Sequence, residues 1–188
     1  MALKIGLDID GVIADSFPVF REELNKYYGK DIIKIDDCDI SKVYNVDWAD
    51  LDSFFDQNVE YLFSAPKVMD GALETINHWL KAGHEIIIVT ARKKGLEEKI
   101  TMEWLHKNNV PYNEVVFAGG ASKTFAVKEH LIDVFVDDFI SNALEIAALN
   151  IPVLLLDAPY NQGKLPEGVV RCYSWEDIKN QIEKRFSS

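Results

Sequence analysis

The chain has 188 residues, of which 48% are hydrophobic and 27% are charged, and its formal net charge is −11 at pH 7. This composition is typical of a globular protein rather than a disordered or fibrous one, and the length suits one core with a modest insertion. The acidic balance argues against binding to a nucleic-acid polymer or an acidic membrane surface, since a long basic patch would be needed to overcome it.

The cysteines and the N-terminal sequence indicate the cellular compartment of the protein. Cys38 and Cys172 are far apart and show no C-x-x-C spacing, which argues against a disulfide framework and a zinc site. The first apolar residues give way to charge too early for a signal peptide, and no later run approaches the roughly 20 apolar residues of a membrane span. We therefore expect a cytoplasmic protein without a membrane partner.

Five short apolar runs predict the strands of a parallel sheet. In chain order they are LKIGL (3–7), EIIIVT (85–90), EVVFAG (114–119), IDVFVD (132–137) and IPVLLLD (151–157). They are rich in β-branched residues and do not alternate with polar ones, as expected for strands buried on both faces. Helical patterns lie between them, so we predict an α/β, Rossmann-like fold in which five parallel strands are flanked by helices.

The segment 15–67 breaks this alternation of strands and helices. It holds two helical patterns, FREELNKYY and DLDSFFDQNVEYLF, joined by an acidic stretch without a convincing buried strand. We predict a small helical cap at 15–67, inserted after the first strand, and a core domain formed by 1–14 and 68–188. Most cap aromatic residues are expected to form its own small core, although a ring such as Phe17 could stack on a base.

Polar side chains stand at the ends of several predicted strands and after the loop GGAS: Asp8, Asp10, Thr90, Lys123, Asp137 and Asp138. Because the carboxyl ends of parallel strands meet at one edge of a sheet, we expect these side chains to converge. Converging carboxylates repel one another unless a hard cation neutralises them, and Mg²⁺ prefers carboxylates together with water and phosphate oxygens. One Asp could then attack phosphorus while its neighbour serves as acid and base.

The order D-x-D-G-V-x-A-D, then Thr90, Lys123 and the Asp pair, resembles the haloacid dehalogenase (HAD) superfamily of phosphohydrolases over nearly the whole chain. Within it, the chain is most similar to the 5'(3')-deoxyribonucleotidases and their bacterial relatives. The segments that carry this similarity are LDIDGVIADS, FSAPKVMDGALETI, KTFAVKEHLIDVFVDD, LLLDAPYNQ and SWEDI. The resemblance implies the HAD fold and a Mg²⁺-dependent phosphatase acting on a small phosphomonoester, such as a nucleotide.

The resemblance also implies a role for each matched residue. Asp8 would be the nucleophile and Asp10 the general acid and base, while Thr90 and Lys123 would hold the phosphoryl group. The residues implied at the metal are the Asp8 carboxylate, the Asp10 backbone carbonyl and Asp138, with Asp137 binding directly or supporting that shell. Lys123 is favoured over Lys128 because a residue at the start of a helix faces the strand ends.

Substrate contacts are assigned to Ala91, Arg92 and Phe17. Arg92 opens the basic run 92–94, which either attracts an anionic substrate or is simply solvated. Deoxyribonucleotidases usually continue the second motif as Thr-Ser-Pro, whereas this chain reads Thr90-Ala91-Arg92. With T-x-x-W-L at 101–105, this variant is similar to polynucleotide 3'-phosphatase domains, which remain one alternative. The others are a receiver-type signalling module, whose motif order differs, and a catalytically silent phosphate-binding protein.

Overall fold

The computed structural model describes residues 2–186 of the chain. Its strands are β1 (Lys4–Leu7), β2 (Ala14–Asp15), β3 (Lys67–Val68), β4 (Glu85–Thr90), β5 (Glu114–Phe117), β6 (Val134–Asp137), β7 (Val153–Leu156) and β8 (Val169–Cys172). Its helices are α1 (Ser16–Tyr28), α2 (Ile40–Tyr44), α3 (Trp48–Ser64), α4 (Ala72–Lys81), α5 (Leu96–Lys107), α6 (Thr124–Glu129), α7 (Ile140–Ala147) and α8 (Trp175–Phe186), with a 3-10 turn at Pro159–Asn161. Among the described residues, no helix has both the length and the apolar character needed to cross a membrane.

Six of the strands form one parallel sheet, in the order β5-β4-β1-β6-β7-β8. The predicted α/β architecture, a parallel sheet flanked by helices, is confirmed. The sheet has six strands where the apolar runs predict five, and the additional strand is β8 at one edge. Its sequence, VVRC, is only partly buried and is interrupted by Arg171, so it lacks the continuous apolar pattern of the central strands.

Helices cover both faces of this sheet. Along β4, Ile86 and Ile88 belong to one apolar cluster, whereas Ile87 and Val89 belong to another on the opposite face. The first cluster includes side chains from α4, α5 and α8, and the second includes side chains from α6 and α7. Each buried aliphatic side chain contributes about 1.5–3 kcal/mol, and burial on both faces explains why the strands read as unbroken hydrophobic runs.

The segment 15–67 contains α1, α2 and α3 and has an apolar cluster of its own. Its members in this segment include Phe20, Leu24, Ile35, Tyr44, Leu51, Phe54 and Leu62. The helix α2 is not predicted from the sequence, because its five residues are too few to show a helical period. At the base of the segment, β2 and β3 pair in antiparallel fashion and bring Asp15 opposite Lys67. The division into a core domain and a cap at these boundaries stays a prediction.

Candidate active site

Three neighbouring strands bring the polar residues together at their carboxyl ends. The sheet order places β4, β1 and β6 side by side. Asp8 follows the last residue of β1, Thr90 ends β4 and Asp137 ends β6. Lys123 stands immediately before α6. These side chains meet at the edge of the sheet where the carboxyl ends of the strands lie, as predicted from the sequence.

Lys123 forms the positive centre of this group. Its Nζ lies 2.6 Å from Asp8 Oδ2 and 2.8 Å from Asp137 Oδ2, and the side chain is 2% exposed. Burial by itself would lower the pKa of Lys123, but the charges of Asp137 and Asp8 outweigh it and raise that pKa. The amine therefore stays protonated. Lys128, the alternative in the sequence, is exposed on α6.

Asp137 has protein donors on both of its carboxylate oxygens. Oδ1 accepts hydrogen bonds from the Phe139 backbone N–H at 2.8 Å and from Asn142 Nδ2 at 3.1 Å. Oδ2 accepts from Lys123 at 2.8 Å and from Asn142 at 3.1 Å. Such a carboxylate is well placed to hold Lys123, and it has little bonding capacity left over.

The carboxylates of Asp8 and Asp138 have fewer hydrogen-bond donors around them than the carboxylate of Asp137. Burial raises the pKa of Asp8 to about 7, although Lys123 opposes the shift. Burial, followed by the charges of Asp137 and Asp8, raises the pKa of Asp138 well above its ordinary range. The Tyr160 hydroxyl donates to Asp138 Oδ2. Within the described part of the chain, Asp138 Oδ1 is buried and has no hydrogen-bond partner.

These carboxylates fit a hard divalent cation. Asp8, Asp137 and Asp138 each offer an oxygen, and the three oxygens lie within 4.8 Å of one another. With Asp10, four carboxylates face the two cations Lys123 and Arg92, which leaves two negative charges in excess when all are ionised. A buried carboxylate oxygen without a donor is costly. An oxygen-rich site with this charge suits Mg²⁺.

Asp10 is held by Arg92 from the loop after β4. Its Oδ2 accepts from Nε at 2.9 Å and its Oδ1 from Nη2 at 2.7 Å, while the Ser16 hydroxyl donates to Oδ1 at 2.5 Å. Burial raises the pKa of Asp10, but the charge and hydrogen bonds of Arg92 and the Ser16 bond together lower it. The pKa of Asp10 is thus shifted in the direction opposite to that of Asp8, and Asp10 is ionised in this state.

Arg92, which the sequence assigns to the substrate, is buried and bonded to protein groups in this structure. The side chain is 3% exposed, and its third guanidinium nitrogen, Nη1, donates to Thr101 Oγ1 at 3.0 Å. The guanidinium carbon lies 4.0 Å from the centre of the Phe63 ring, on α3. All three nitrogens are thus used within the protein, and Arg92 contacts Asp10 rather than open solvent. Within the basic run 92–94, Lys93 and Lys94 are exposed, whereas Arg92 is buried.

The other assigned substrate contacts fall in different places. Ala91 is exposed on the loop after β4. Phe17, on α1, lines a cavity of about 220 Å³ between that helix and the turn 157–160, and neither Ala91 nor Arg92 lines it. Arg21, Lys34 and Tyr160 are among the other lining residues. Thr90 is buried, and its Oγ1 accepts from the Arg92 backbone N–H at 3.2 Å, which leaves its own proton free to donate.

Sequence reasoning misses two residues that contact this group, Tyr160 and Ser16. Tyr160 lies in LLLDAPYNQ, which contributes to the family resemblance, but its contact with Asp138 spans 22 positions and has no local pattern. Ser16 follows the D-x-D motif by a few residues and begins α1, where a serine reads as a helix-capping residue.

Comparisons with known proteins agree with this architecture. Residues 48–146 match the family described as the LNS2 domain of PITM 1-3. A candidate nucleotidase of Halalkalibacterium halodurans is 33% identical over 184 residues, covering 96% of this chain and 93% of its own. A nucleotidase of Clostridium acetobutylicum is 28% identical over 186 residues, covering 98% and 95%.

The similarity extends to solved structures. A haloacid dehalogenase-like hydrolase of Streptococcus pneumoniae, 9% identical in sequence, superimposes with a TM-score of 0.69 over 96% of this chain and 98% of its own. At that identity the likeness concerns the fold alone, whereas the sequence relatives cover nearly the whole chain and carry the family assignment. The chain therefore belongs to the same family as the nucleotidase-like protein of Halalkalibacterium halodurans, it matches the LNS2 domain over residues 48–146, and it has the fold of the haloacid dehalogenase-like hydrolases.

Proposed function

We propose that the protein is a Mg²⁺-dependent nucleotidase that hydrolyses a small phosphomonoester through an aspartyl-phosphate on Asp8. The observation that carries this proposal is the buried group of Asp8, Lys123 and Asp138, in which one carboxylate oxygen has no protein donor. The names of the two sequence relatives support a nucleotide as the substrate.

Asp8 is the proposed nucleophile. One of its carboxylate oxygens attacks phosphorus, and the bond between phosphorus and the leaving oxygen breaks as the acyl-phosphate bond forms. Burial raises the pKa of Asp8 to about 7 even though Lys123 opposes the shift, and the positive charge of Lys123, 2.6 Å away, favours the ionised form that attacks. Lys123 and the free hydroxyl proton of Thr90 would then hold the phosphoryl oxygens in place.

The proposed Mg²⁺ ligands are the carboxylates of Asp8 and Asp138 and the backbone carbonyl of Asp10. When bound, the ion neutralises the phosphoryl oxygens and stabilises the charge that develops on them. Asp137 is assigned a supporting role, because both of its oxygens already accept hydrogen bonds from Lys123, Asn142 and a backbone N–H.

Asp10 is the proposed general acid and base. It gives a proton to the leaving oxygen, and in the second step it takes one from the water that attacks the aspartyl-phosphate, which releases phosphate and restores Asp8. The contact with Arg92 keeps Asp10 ionised, as the second step requires. For the first step, a dianionic substrate placed beside Asp10 would raise its pKa and favour proton uptake. Arg92 would position the carboxylate throughout.

The leaving group is assigned to the cavity between α1 and the turn 157–160. Phe17 and Tyr160 are the aromatic residues of its lining, and Arg21 and Lys34 are the cationic ones, a combination that suits a base and polar sugar oxygens. We propose that the segment 15–67 acts as a cap over the site, which excludes bulk water and selects the leaving group.

Removing the metal is expected to abolish activity. Phosphate release should fall to background in excess EDTA and return on addition of Mg²⁺, and Ca²⁺ should inhibit. Ca²⁺ takes more oxygen ligands in looser geometry, so it could bind both oxygens of Asp8 and spoil the line of attack. The measurement is initial rate against metal concentration, and full activity in chelator would contradict the metal site.

The proposed function is tested by a phosphate-release screen with Mg²⁺. The panel contains nucleoside 5'- and 3'-monophosphates, sugar phosphates and 3'-phosphorylated oligonucleotides. We expect much higher kcat/KM on mononucleotides than on oligonucleotides, because a cap closing over the site leaves no path for a continuing chain and the net charge of −11 repels a polyanion. A preference for the oligonucleotide would favour a polynucleotide 3'-phosphatase instead, and sugar phosphates hydrolysed best would exclude the nucleotidase assignment.

A further inference from the structure

Tyr160 lies at the junction of the acidic group and the leaving-group cavity. Its hydroxyl donates to Asp138 Oδ2, and its ring lines the cavity. On one side the ring stacks on Phe17, with centroids 4.3 Å apart and an interplanar angle of 30°. Phe139 packs nearby, at a centroid distance of 5.7 Å. The position of the hydroxyl is therefore fixed by packing from several elements.

The hydrogen bond between Tyr160 and Asp138 has a defined direction. The Tyr160 hydroxyl carries a proton that it can donate, and it donates this proton to Asp138 Oδ2. An ionised carboxylate can only accept, and Tyr160 is then the donor. One oxygen of Asp138 is occupied in this way, while Oδ1 has no partner among the described residues.

The same turn also fixes the backbone of Asp138. Asn161 Nδ2 donates to the Asp138 carbonyl at 2.7 Å and to the Leu156 carbonyl at 2.8 Å. Arg171 holds Asn161 in turn, with Nη1 2.6 Å from its Oδ1 and Nη2 2.8 Å from its backbone oxygen. Both the main chain and the side chain of Asp138 are therefore anchored by two consecutive residues, Tyr160 and Asn161.

Gly11 limits the space in which this carboxylate could turn. A Cβ atom built on Gly11 would lie 2.0 Å from Asp138 Oδ2 and 2.8 Å from the Tyr160 hydroxyl. Glycine also suits this position because its φ is +76°. The backbone after the D-x-D motif thus packs directly on the Tyr160–Asp138 pair, and a larger residue would displace it.

We propose that Tyr160 is a positioning residue for the cation, because it occupies Oδ2 of Asp138 and leaves Oδ1 as the oxygen that binds Mg²⁺. The inference rests on the Mg²⁺ site of the proposed function. Residues that orient a metal ligand through a hydrogen bond typically change metal affinity by about 10–100-fold when removed. Without the hydroxyl, Oδ2 of Asp138 would lose its donor, the carboxylate would be held less firmly, and part of the free energy of metal binding would be used to order it.

The test is Mg²⁺ binding by the purified full chain, measured by titration calorimetry without substrate. Tyr160→Phe should weaken the Kd for Mg²⁺ by about 10-fold or more and reduce the rise in Tm that Mg²⁺ produces. The matched control is Tyr44→Phe, since Tyr44 is also buried and its hydroxyl bonds only within the segment 15–67, 3.1 Å from Asn25 Oδ1. This control should bind Mg²⁺ like the wild type, whatever happens to its Tm.

The outcomes separate this inference from the function on which it rests. If the wild type binds Mg²⁺, Asp138→Asn does not, and Tyr160→Phe binds as tightly as the wild type, the positioning role is overturned while the metal site stands. An equal loss of affinity in Tyr160→Phe and Tyr44→Phe also overturns it, because it would reflect the removal of any buried hydroxyl. Failure of the wild type itself to bind Mg²⁺ would overturn the metal site and the inference together.

Discussion

Replacing Asp8 with asparagine is expected to lower kcat by at least about 10³-fold while preserving the fold. The amide fills nearly the same volume, but it cannot form the acyl-phosphate. Phosphate release under saturating Mg²⁺ measures the loss, and circular dichroism checks the fold. Near-normal activity in this variant would show that Asp8 is not the nucleophile.

The same substitution is expected to stabilise the metal-free protein above pH 7. The pKa of Asp8 is raised from 3.8 to about 7 in the folded state, so the folded protein binds this proton more tightly than the unfolded chain. Stability from that proton is present below pH 3.8 and is lost as the pH rises through 7. Asparagine does not titrate, and the variant should gain about 1–3 kcal/mol at pH 8 after allowance for its weaker bond to Lys123.

Denaturant unfolding in EDTA at pH 4 and pH 8 measures this difference. The free energies of unfolding of the two proteins should lie close together at pH 4 and diverge at pH 8 in favour of the variant. A less stable variant at pH 8 would mean that Lys123 compensates the buried charge of Asp8 in full.

Replacing Lys123 with methionine is expected to have a large effect on both activity and stability. The substitution keeps most of the unbranched side chain but leaves Asp8 and Asp137 buried without the cation that lies 2.6 and 2.8 Å from them. Removing one partner of a buried ion pair typically costs about 3–5 kcal/mol. Phosphatase activity should fall to background, because the phosphoryl group loses its positive partner and Asp8 ionises less readily.

The cost of Lys123→Met should depend on pH. Asp8 already has a raised pKa, and it loses the charge that opposes the shift. Below pH 7 it takes up a proton, so the destabilisation should be smaller at pH 5 than at pH 8. Lys128→Met is the control: this lysine is exposed on the same helix, and its loss should change the free energy of unfolding by no more than about 0.5 kcal/mol. Equal effects of the two substitutions would contradict the role of Lys123.

The convergence of the acidic residues follows from the sequence because it depends on strands alone. Asp8, Thr90 and Asp137 each stand at the end of a continuous apolar run, and parallel strands bring such ends to one edge of the sheet. Which lysine meets them also follows, since only the start of α6 faces that edge. For this part of the site, local pattern and sheet topology were sufficient.

The partners of those residues depend on contacts that no local pattern reveals. In the sequence, Arg92 is the start of a basic run that either attracts an anionic substrate or is solvated, yet in the structure it turns inward to Asp10, which is 82 positions away in the chain. Thr101 and Phe63 complete its surroundings from two different helices. Tyr160 reaches Asp138 in a similar way. Tertiary packing determines these side-chain contacts, so the three-dimensional structure is needed to identify them.

The short antiparallel pair of β2 and β3 has a consequence for how this enzyme family can vary. Because Asp15 and Lys67 lie opposite each other in a two-stranded sheet of their own, the two ends of the segment 15–67 meet at one point. The entropic cost of closing a loop grows only slowly with its length, so insertions of different size could be exchanged at this junction without disturbing the strand order. If this segment acts as the cap proposed above, new leaving-group preferences could arise by replacing it as one contiguous unit, provided that its contacts through Phe17 and Phe63 are rebuilt.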